Sequence, residues 1–257
     1  MRLDIQKVAA IGIFILIYLG GPVPISAIDL KTAAQESAPK YFILGNNKMA
    51  GVCVEIMQAI EDIEPQINFT GYHEFLPFIR LQSYLEKGLL GVFFGFKKTA
   101  KRKEKYSFVE VPLYPLNYVI AVRIDDTVES ASFDDLRKLD GNGKLLTVRG
   151  TAASKFLQEE GFLFEDRARS PAMLLKMLIA KRGRFAFYHD LGLRHVIKLN
   201  NLDKDVRILP NTYFKYYHFA AFSNDTPLET IEVVRGALQH LSNTGKLDEI
   251  YDKYLSF

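Results

Sequence analysis

Between residues 97 and 114 the chain reads KKTAKRKEKYSFVEVPLY, with six basic side chains in nine residues before it turns apolar. Such a run can be a patch for nucleic acid, a solvated edge, or the wall of a site for one small anion. Arg102 differs in kind from Lys98, Lys101, Lys103 and Lys105: a planar guanidinium can grip a carboxylate through two parallel hydrogen bonds, whereas an ammonium acts as a point charge. Spacing alone leaves Arg102 as one more solvated charge beside those four lysines. Farther along, RFAFYHD closes on Asp190, a residue type well suited to cap the helix that LGLRHVI predicts. Gly150, Thr151 and Ala152 open another helix, whose backbone N–H groups can help bind a carboxylate, although Thr151 also suits a plain cap. His189, beside Asp190, and Glu55 are candidates for proton transfer by position. No nucleophile elbow, His-Glu-x-x-His or phosphate-binding loop occurs, and His189 and His195 are six apart, which is not a helical ligand spacing. No metal and no cofactor is expected.

The elements that must position these residues belong to an ordinary globular composition. Of 257 residues, 48% are hydrophobic and 25% charged, which excludes disorder as a main theme. The 33 basic and 30 acidic residues leave a net charge of +3, too balanced for a surface that tracks a polyanion throughout, so any basic function is local. Arg2 and Lys7 precede an apolar run over 8–19, and Pro22, Pro24, Ser26 and Ala27 follow it. This is the pattern of a secretory signal peptide, cleaved after Ala27; Ile25, three residues before that point, is bulkier than usual and leaves an uncleaved anchor as the alternative. The remaining 230 residues suit two lobes better than one core. Cys53 is the only cysteine, so no disulfide can form within the chain and none stands at the signal junction to take a lipid.

Periodicity gives βαβαβ twice. A strand is expected at 41–44 (YFIL), a helix in VCVEIMQAIED, a strand in INFTGY, a helix ending at Gly88, and a strand in VFFGF. A second run begins near Tyr114 with NYVIAVR, then a short helix capped by Ser132, the strand KLLTVRG, a helix closed by Gly161, a helix opened by Pro171, and the strands RFAFYHD and HFAAFSND. Two helices end the chain, the first read with a Thr226–Glu229 capping box, Pro227 at its first position and Gly245 at its end. Alternation of this kind implies doubly wound α/β sheets.

Five motifs in order carry a resemblance. GVCVEIMQAI, LPFIRLQSYLEKG, FKKTAKRKEKYSFVEVPLY, VRGTAASKFL and LSNTGKLDEIYDKYL are similar to successive motifs of the bacterial extracellular solute-binding proteins, family 3. The resemblance implies an α/β, two-lobe periplasmic-binding-protein fold of type II, each lobe a doubly wound mixed sheet, with two hinge crossings. Lobe I would be residues 28–114 with 224–257, and lobe II residues 115–223. The implied function is capture of a small polar ligand, an amino acid or small carboxylate, between the lobes of a periplasmic monomer, and delivery to an ABC permease by hinge closure.

By the same resemblance Arg102 holds the ligand carboxylate and Asp190 its ammonium, with Gly150, Thr151, Ala152 and Gly95 contributing backbone, and Lys97, Phe78, Arg80 and Tyr114 available as walls. Tyr213, Phe214, Tyr216 and Tyr217 could also line the cleft, or simply pack near the hinge. The chain departs from the family pattern in places. GNNKMAG stands where an aromatic-rich loop usually follows the first strand, Phe185 and Gly91 replace acids, and Lys97 replaces a small hydroxyl residue; a lysine facing the cleft would favour a further anion on the ligand. Two other functions use the same scaffold, a ligand sensor that signals to a membrane receptor and a dehydratase-like enzyme. Nucleic acid is excluded as a partner, since the chain is read as exported and aromatic rings are not interleaved with the lysines.

Overall fold

The structure, a computed structural model, describes residues 27–45, 47–138 and 144–255, so the expected signal segment and Asn46 of GNNKMAG lie outside the described residues. The chain runs β1 (Ile28–Lys31), β2 (Phe42–Ile43), β3 (Met49–Ala50), α1 (Val52–Ile63), β4 (Ile67–Thr70), α2 (Phe78–Glu86), β5 (Val92–Lys97), α3 (Ala100–Lys103), β6 (Ser107–Phe108) and β7 (Tyr114–Arg123). It continues through α4 (Phe133–Arg137), β8 (Leu145–Val148), α5 (Ala152–Glu159), β9 (Phe164–Ala168), α6 (Pro171–Ile179), β10 (Phe185–His189), α7 (Asp190–Leu199), β11 (Val206–Ile208), β12 (Phe214–Phe222), α8 (Leu228–Asn243) and α9 (Lys246–Leu255).

The main sheet has the order β5-β12-β7-β10-β8-β9, with β11 on β7 and β6 on β12. Two apolar cores flank its middle. Ile56, Met57 and Ile60 of α1, Phe93 and Phe94 of β5, and Val234 and Leu238 of α8 belong to the first. Ile120 of β7, Leu146 of β8, Phe187 of β10, and Leu174 and Leu178 of α6 belong to the second. The long strands β7 and β12 pass from one core to the other: Tyr114 and Leu116 lie in the first and Tyr118 in the second, while Ala220 to Phe222 lie in the first and Phe214 packs on the second. They pair antiparallel with Phe214 opposite Tyr118 and His218 opposite Tyr114.

Three expectations are corrected. The first strand is Ile28–Lys31, paired parallel with β4, rather than 41–44. Tyr41 is fully buried and its hydroxyl donates to the Phe94 carbonyl at 3.2 Å, so this segment is pinned beneath β5 and only Phe42–Ile43 form a short strand with β3. Met49 and Ala50 of GNNKMAG therefore form β3, paired antiparallel with β2, and the segment following the first strand is 32–40. Third, α8 has no capping box: Pro227 sits at its N-cap, and the Thr226 hydroxyl donates instead to the Gly91 carbonyl at 2.9 Å. Ser132 does form a capping box with Asp135, and Pro171 opens α6 behind the cap Ser170.

Residues 37–40 matter most for the site, and α1 fixes them. Gly51, the N-cap of α1, offers no side chain to the first N–H groups of that helix. The preceding loop supplies the acceptors: Val52 N–H donates to the Pro39 carbonyl at 3.0 Å and Cys53 N–H to the Lys40 carbonyl at 3.3 Å. Gly51 has φ of 134°, and a Cβ there would stand 2.3 Å from the Lys40 oxygen and 2.7 Å from the Pro39 oxygen. Gly51→Ala is therefore expected to cost about 3 kcal/mol or more, since a strained backbone meets a backbone clash; urea unfolding with an unchanged midpoint would refute this account of the loop.

Candidate functional site

The site begins at a bulge. β12 pairs with β5 through Phe219 opposite Phe96 and Ala220 opposite Phe94, which leaves Gly95 unpaired between them. Its φ of 84° suits glycine, and its carbonyl, turned out of the ladder, accepts from Lys40 Nζ at 3.3 Å. That ammonium also donates to Gln35 Oε1 at 2.6 Å and lies 5.1 Å from the centre of the Phe93 ring. Lys40 is 7% exposed and forms no ion pair among the described residues. A Cβ on Gly95 would meet Lys40 Cδ at 2.4 Å, so glycine and lysine fit one another here.

Two residues beyond the bulge, Lys97 sits opposite His218 of β12, which in turn sits opposite Tyr114 of β7. Lys97, His218 and Tyr114 thus form one row across three strands. Lys97 Nζ lies 4.8 Å from the centre of the Tyr216 ring and 5.8 Å from that of Phe214, reaching over the strand that joins the two cores. The Tyr114 hydroxyl is buried, 2.9 Å from His218 Nδ1 and 3.4 Å from Cys53 Sγ. Past β5, Thr99 caps α3, and Arg102 in that short helix folds back to donate from Nη1 to the Lys97 carbonyl at 2.8 Å. Its guanidinium lies 4.2 Å from the Phe96 ring centre and 5.4 Å from that of Phe78, half-buried and without an ion pair among the described residues. The neighbouring lysines differ: Lys101 and Lys103 are exposed, Lys105 pairs with Glu86 at 2.7 Å, and Lys98, expected simply in water, pairs with Glu110 and covers the Phe219 ring at 4.6 Å. Arg80 is exposed on α2.

From the second core come β10 and the start of α7. His189 caps α7, its Nδ1 accepting from Gly192 N–H at 2.9 Å, so the capping role considered for Asp190 is filled by its neighbour. Asp190 is 6% exposed and already engaged: Oδ1 accepts from Asn117 N–H at 3.2 Å and Leu191 N–H at 2.7 Å, and Oδ2 from Asn117 Nδ2 at 2.8 Å. This ties α7 to β7. Thr151 caps α5 and also donates to the Val148 carbonyl at 2.7 Å; Gly150 and the start of α5 remain accessible. Tyr213 donates to the Ala131 carbonyl at 2.6 Å and Phe214 stacks on Tyr118 at 4.1 Å, so these two rings pack near the crossing, whereas Tyr217 is exposed. Between the cores, Pro39, Lys40, Tyr114, His189, Leu191 and His218 enclose a cavity of about 20 Å³, room for one water.

The model of the bacterial extracellular solute-binding proteins, family 3, matches residues 30–257. The chain belongs to that family. Solved structures share the fold. An ancestral cationic amino acid solute-binding protein is 20% identical over 88% of this chain and 95% of its own, with a TM-score of 0.72. A probable amino-acid ABC transporter extracellular-binding protein from Bacillus subtilis is 16% identical over 90% and 98%, with a TM-score of 0.73. A histidine kinase sensor domain with similarity to periplasmic binding proteins is 23% identical over 89% and 96%, with a TM-score of 0.70. No curated protein matches closely enough to carry an argument.

In this solute-binding protein the electrostatics of the cleft are one-sided. The Lys40 pKa is lowered to about 8, chiefly by burial, with Cys53 opposing the shift and the charge of Arg102 adding to it. Burial lowers His189 to about 3, with Lys40 adding to the effect. His218 is pushed well below the ordinary histidine range by burial and then by four basic neighbours, Lys40, His189, Arg102 and Lys97. Glu55, a candidate for proton transfer by position, instead accepts from Lys253 at 2.7 Å and Tyr254 at 2.5 Å and ties α1 to α9. Sequence reasoning missed Lys40, His218 and Asn117. The signals were present but faint: a lysine between proline and the apolar YFIL, and an asparagine inside an otherwise apolar strand.

Lys40 and the histidines act in separate pH windows with the same sign, stability rising with pH in each. The folded chain binds fewer protons at Lys40 than the unfolded chain between pH 8 and 10.5, so this group's destabilisation, about 3 kcal/mol below pH 8, is relieved as pH rises through that window. Lys40→Met is therefore expected to be more stable than wild type by about 2 kcal/mol at pH 7, with the gap closing by pH 10.5; urea unfolding at a series of pH values measures it. His189 and His218 resist protonation when folded, so the protein should lose stability as pH falls below 6.5. Replacing both with phenylalanine should flatten that limb in the same titration.

Proposed function

We propose that this chain is an exported, monomeric solute-binding protein that captures a small polar carboxylate ligand, an amino acid or a simple carboxylate, between its lobes and delivers it to an ABC permease by hinge closure. In this reading lobe I is residues 28–114 with 224–257, lobe II is 115–223, and the N-terminal segment is a cleaved signal. The observation that carries the reading is Arg102. A guanidinium fixed by a backbone carbonyl and two aromatic rings, yet lacking a carboxylate partner among the described residues, is preorganised for an anion from outside the chain. Lys97 lies beside it, and the α5 start, with Gly150, Thr151 and Ala152, offers N–H groups from the other lobe. Bending of the paired strands β7 and β12 where they cross between the cores would bring the two sets together.

The test is a thermal-shift screen against amino acids, small carboxylates, polyamines and sugars. A ligand present at a hundred times its Kd stabilises by about 2.7 kcal/mol, a readily visible shift. Arg102→Ala should abolish it; a shift that survives Arg102→Ala removes this residue from the site.

The likeness to a histidine kinase sensor domain favours a second reading, in which the closed state signals to a membrane receptor. Deleting the gene separates the two: loss of ligand uptake supports delivery to a permease, and normal uptake with a lost signalling response supports the sensor.

A further inference from the structure

A zwitterionic ligand needs an acceptor for its ammonium as well as a donor for its carboxylate, because burying either charge unpaired is costly. Among the described residues, the acceptors of this cleft each already hold at least one donor from within. The Gly95 carbonyl, freed from the sheet by the bulge, is taken by Lys40 Nζ. The Lys97 carbonyl is taken by Arg102. Both oxygens of Asp190 receive N–H groups of Asn117 or Leu191, and His189 Nδ1 receives Gly192 N–H. The face of the Tyr216 ring, which could hold a cation, carries Lys97.

The donors show the reverse. Arg102, Lys97 and Lys40 converge on the row of His218 and Tyr114 with no carboxylate paired to any of them among the described residues. With Nδ1 accepting, neutral His189 carries its proton on Nε2, a further donor at the cavity it shares with Lys40 and His218. Besides Asp190, the acid that influences this region is Glu159, which acts on Lys97 and pairs with Lys155 at 3.5 Å.

We propose that the ligand of this cleft is a carboxylate without an ammonium group, the positive charge that an amino acid would bring being supplied inside the chain by Lys40 on the Gly95 carbonyl. This rests on the reading of Arg102 as the carboxylate grip and narrows the ligand class within it. An amino acid would have to share or displace Lys40 at its acceptor and add one more cation to an uncompensated group. A simple carboxylate meets the donors Arg102 and Lys97 and gives the buried lysine a counter-charge. The gap at Lys40 is one water in size, so the carboxylate group itself sits toward Arg102 and Lys97, and Lys40 acts on it through its charge.

Matched pairs that differ only in the amino group provide the test: succinate with L-aspartate, glutarate with L-glutamate, 4-methylpentanoate with L-leucine, and 3-phenylpropanoate with L-phenylalanine. Affinities of the purified protein, by calorimetry at pH 7, should favour the member lacking the amine by at least tenfold in every pair that binds. Lys40→Met empties the Gly95 carbonyl and should narrow or reverse that ratio. An amino acid that binds wild type as tightly as its des-amino partner overturns the inference, and so does a folded Lys40→Met variant with an unchanged ratio. If amino acids bind best and Arg102→Ala abolishes that binding, the proposed function stands and only this inference falls. If none of these carboxylates binds, both fail.

Discussion

The antiparallel pairing of β7 with β12 is the constraint on which the rest depends. Each strand is long enough to begin in one apolar core and finish in the other, so the two cores are joined by backbone ladders and not by loops. A ladder fixes register, and register places Tyr114, His218 and Lys97 in one row. A one-residue slip would turn that row to the opposite face and remove the site altogether. The Gly95 bulge works inside the same frame. By breaking the ladder at one residue it frees a carbonyl without disturbing the pairs on either side.

The energetics around Lys40 are those of a buried charge with no ion pair among the described residues. A lysine buried against a carbonyl, a glutamine and a phenyl ring is an expensive arrangement, and the two histidines avoid the same cost by staying neutral. Folding tolerates this because two large cores lie on either side and the loop bearing Lys40 is held by the N–H groups of α1. Destabilisation concentrated where a ligand binds is commonly what binding relieves.

The architecture was legible in the sequence wherever apolar periodicity was long. α1, β5, β7, α6 and α8 follow from their patterns because a helix or strand facing a core has little choice about which side is apolar. The first strand was misplaced because IDLK is short and charged at two of its four positions, while YFIL looks like a strand and is instead pinned beneath β5 by the Tyr41 hydroxyl. In the site, Arg102 could be picked out by its motif, but the partner that defines its surroundings could not. Lys40 lies 55 residues from the Gly95 carbonyl, and no local pattern announces which carbonyl a bulge will release. Asp190 illustrates the opposite difficulty. Its type suggested a cap or an ammonium contact, and its actual partners are the backbone and side chain of Asn117 on a strand 73 residues away.

The aromatic packing at the crossing has an optical consequence. The chain contains no tryptophan, so its intrinsic emission comes from 13 tyrosines. Several of these meet where the two cores join: Tyr118 stacks on Tyr216 at 5.6 Å, and Tyr114 stacks on Tyr251 at 6.1 Å. Lys97 lies over Tyr216, and the Tyr114 hydroxyl touches both His218 and Cys53. Several chromophores thus lie where the two cores join, and any change in how one core packs on the other would alter ring overlap and quenching contacts together. Tyrosine emission is therefore a native reporter of that junction, against a spectral background clear of indole.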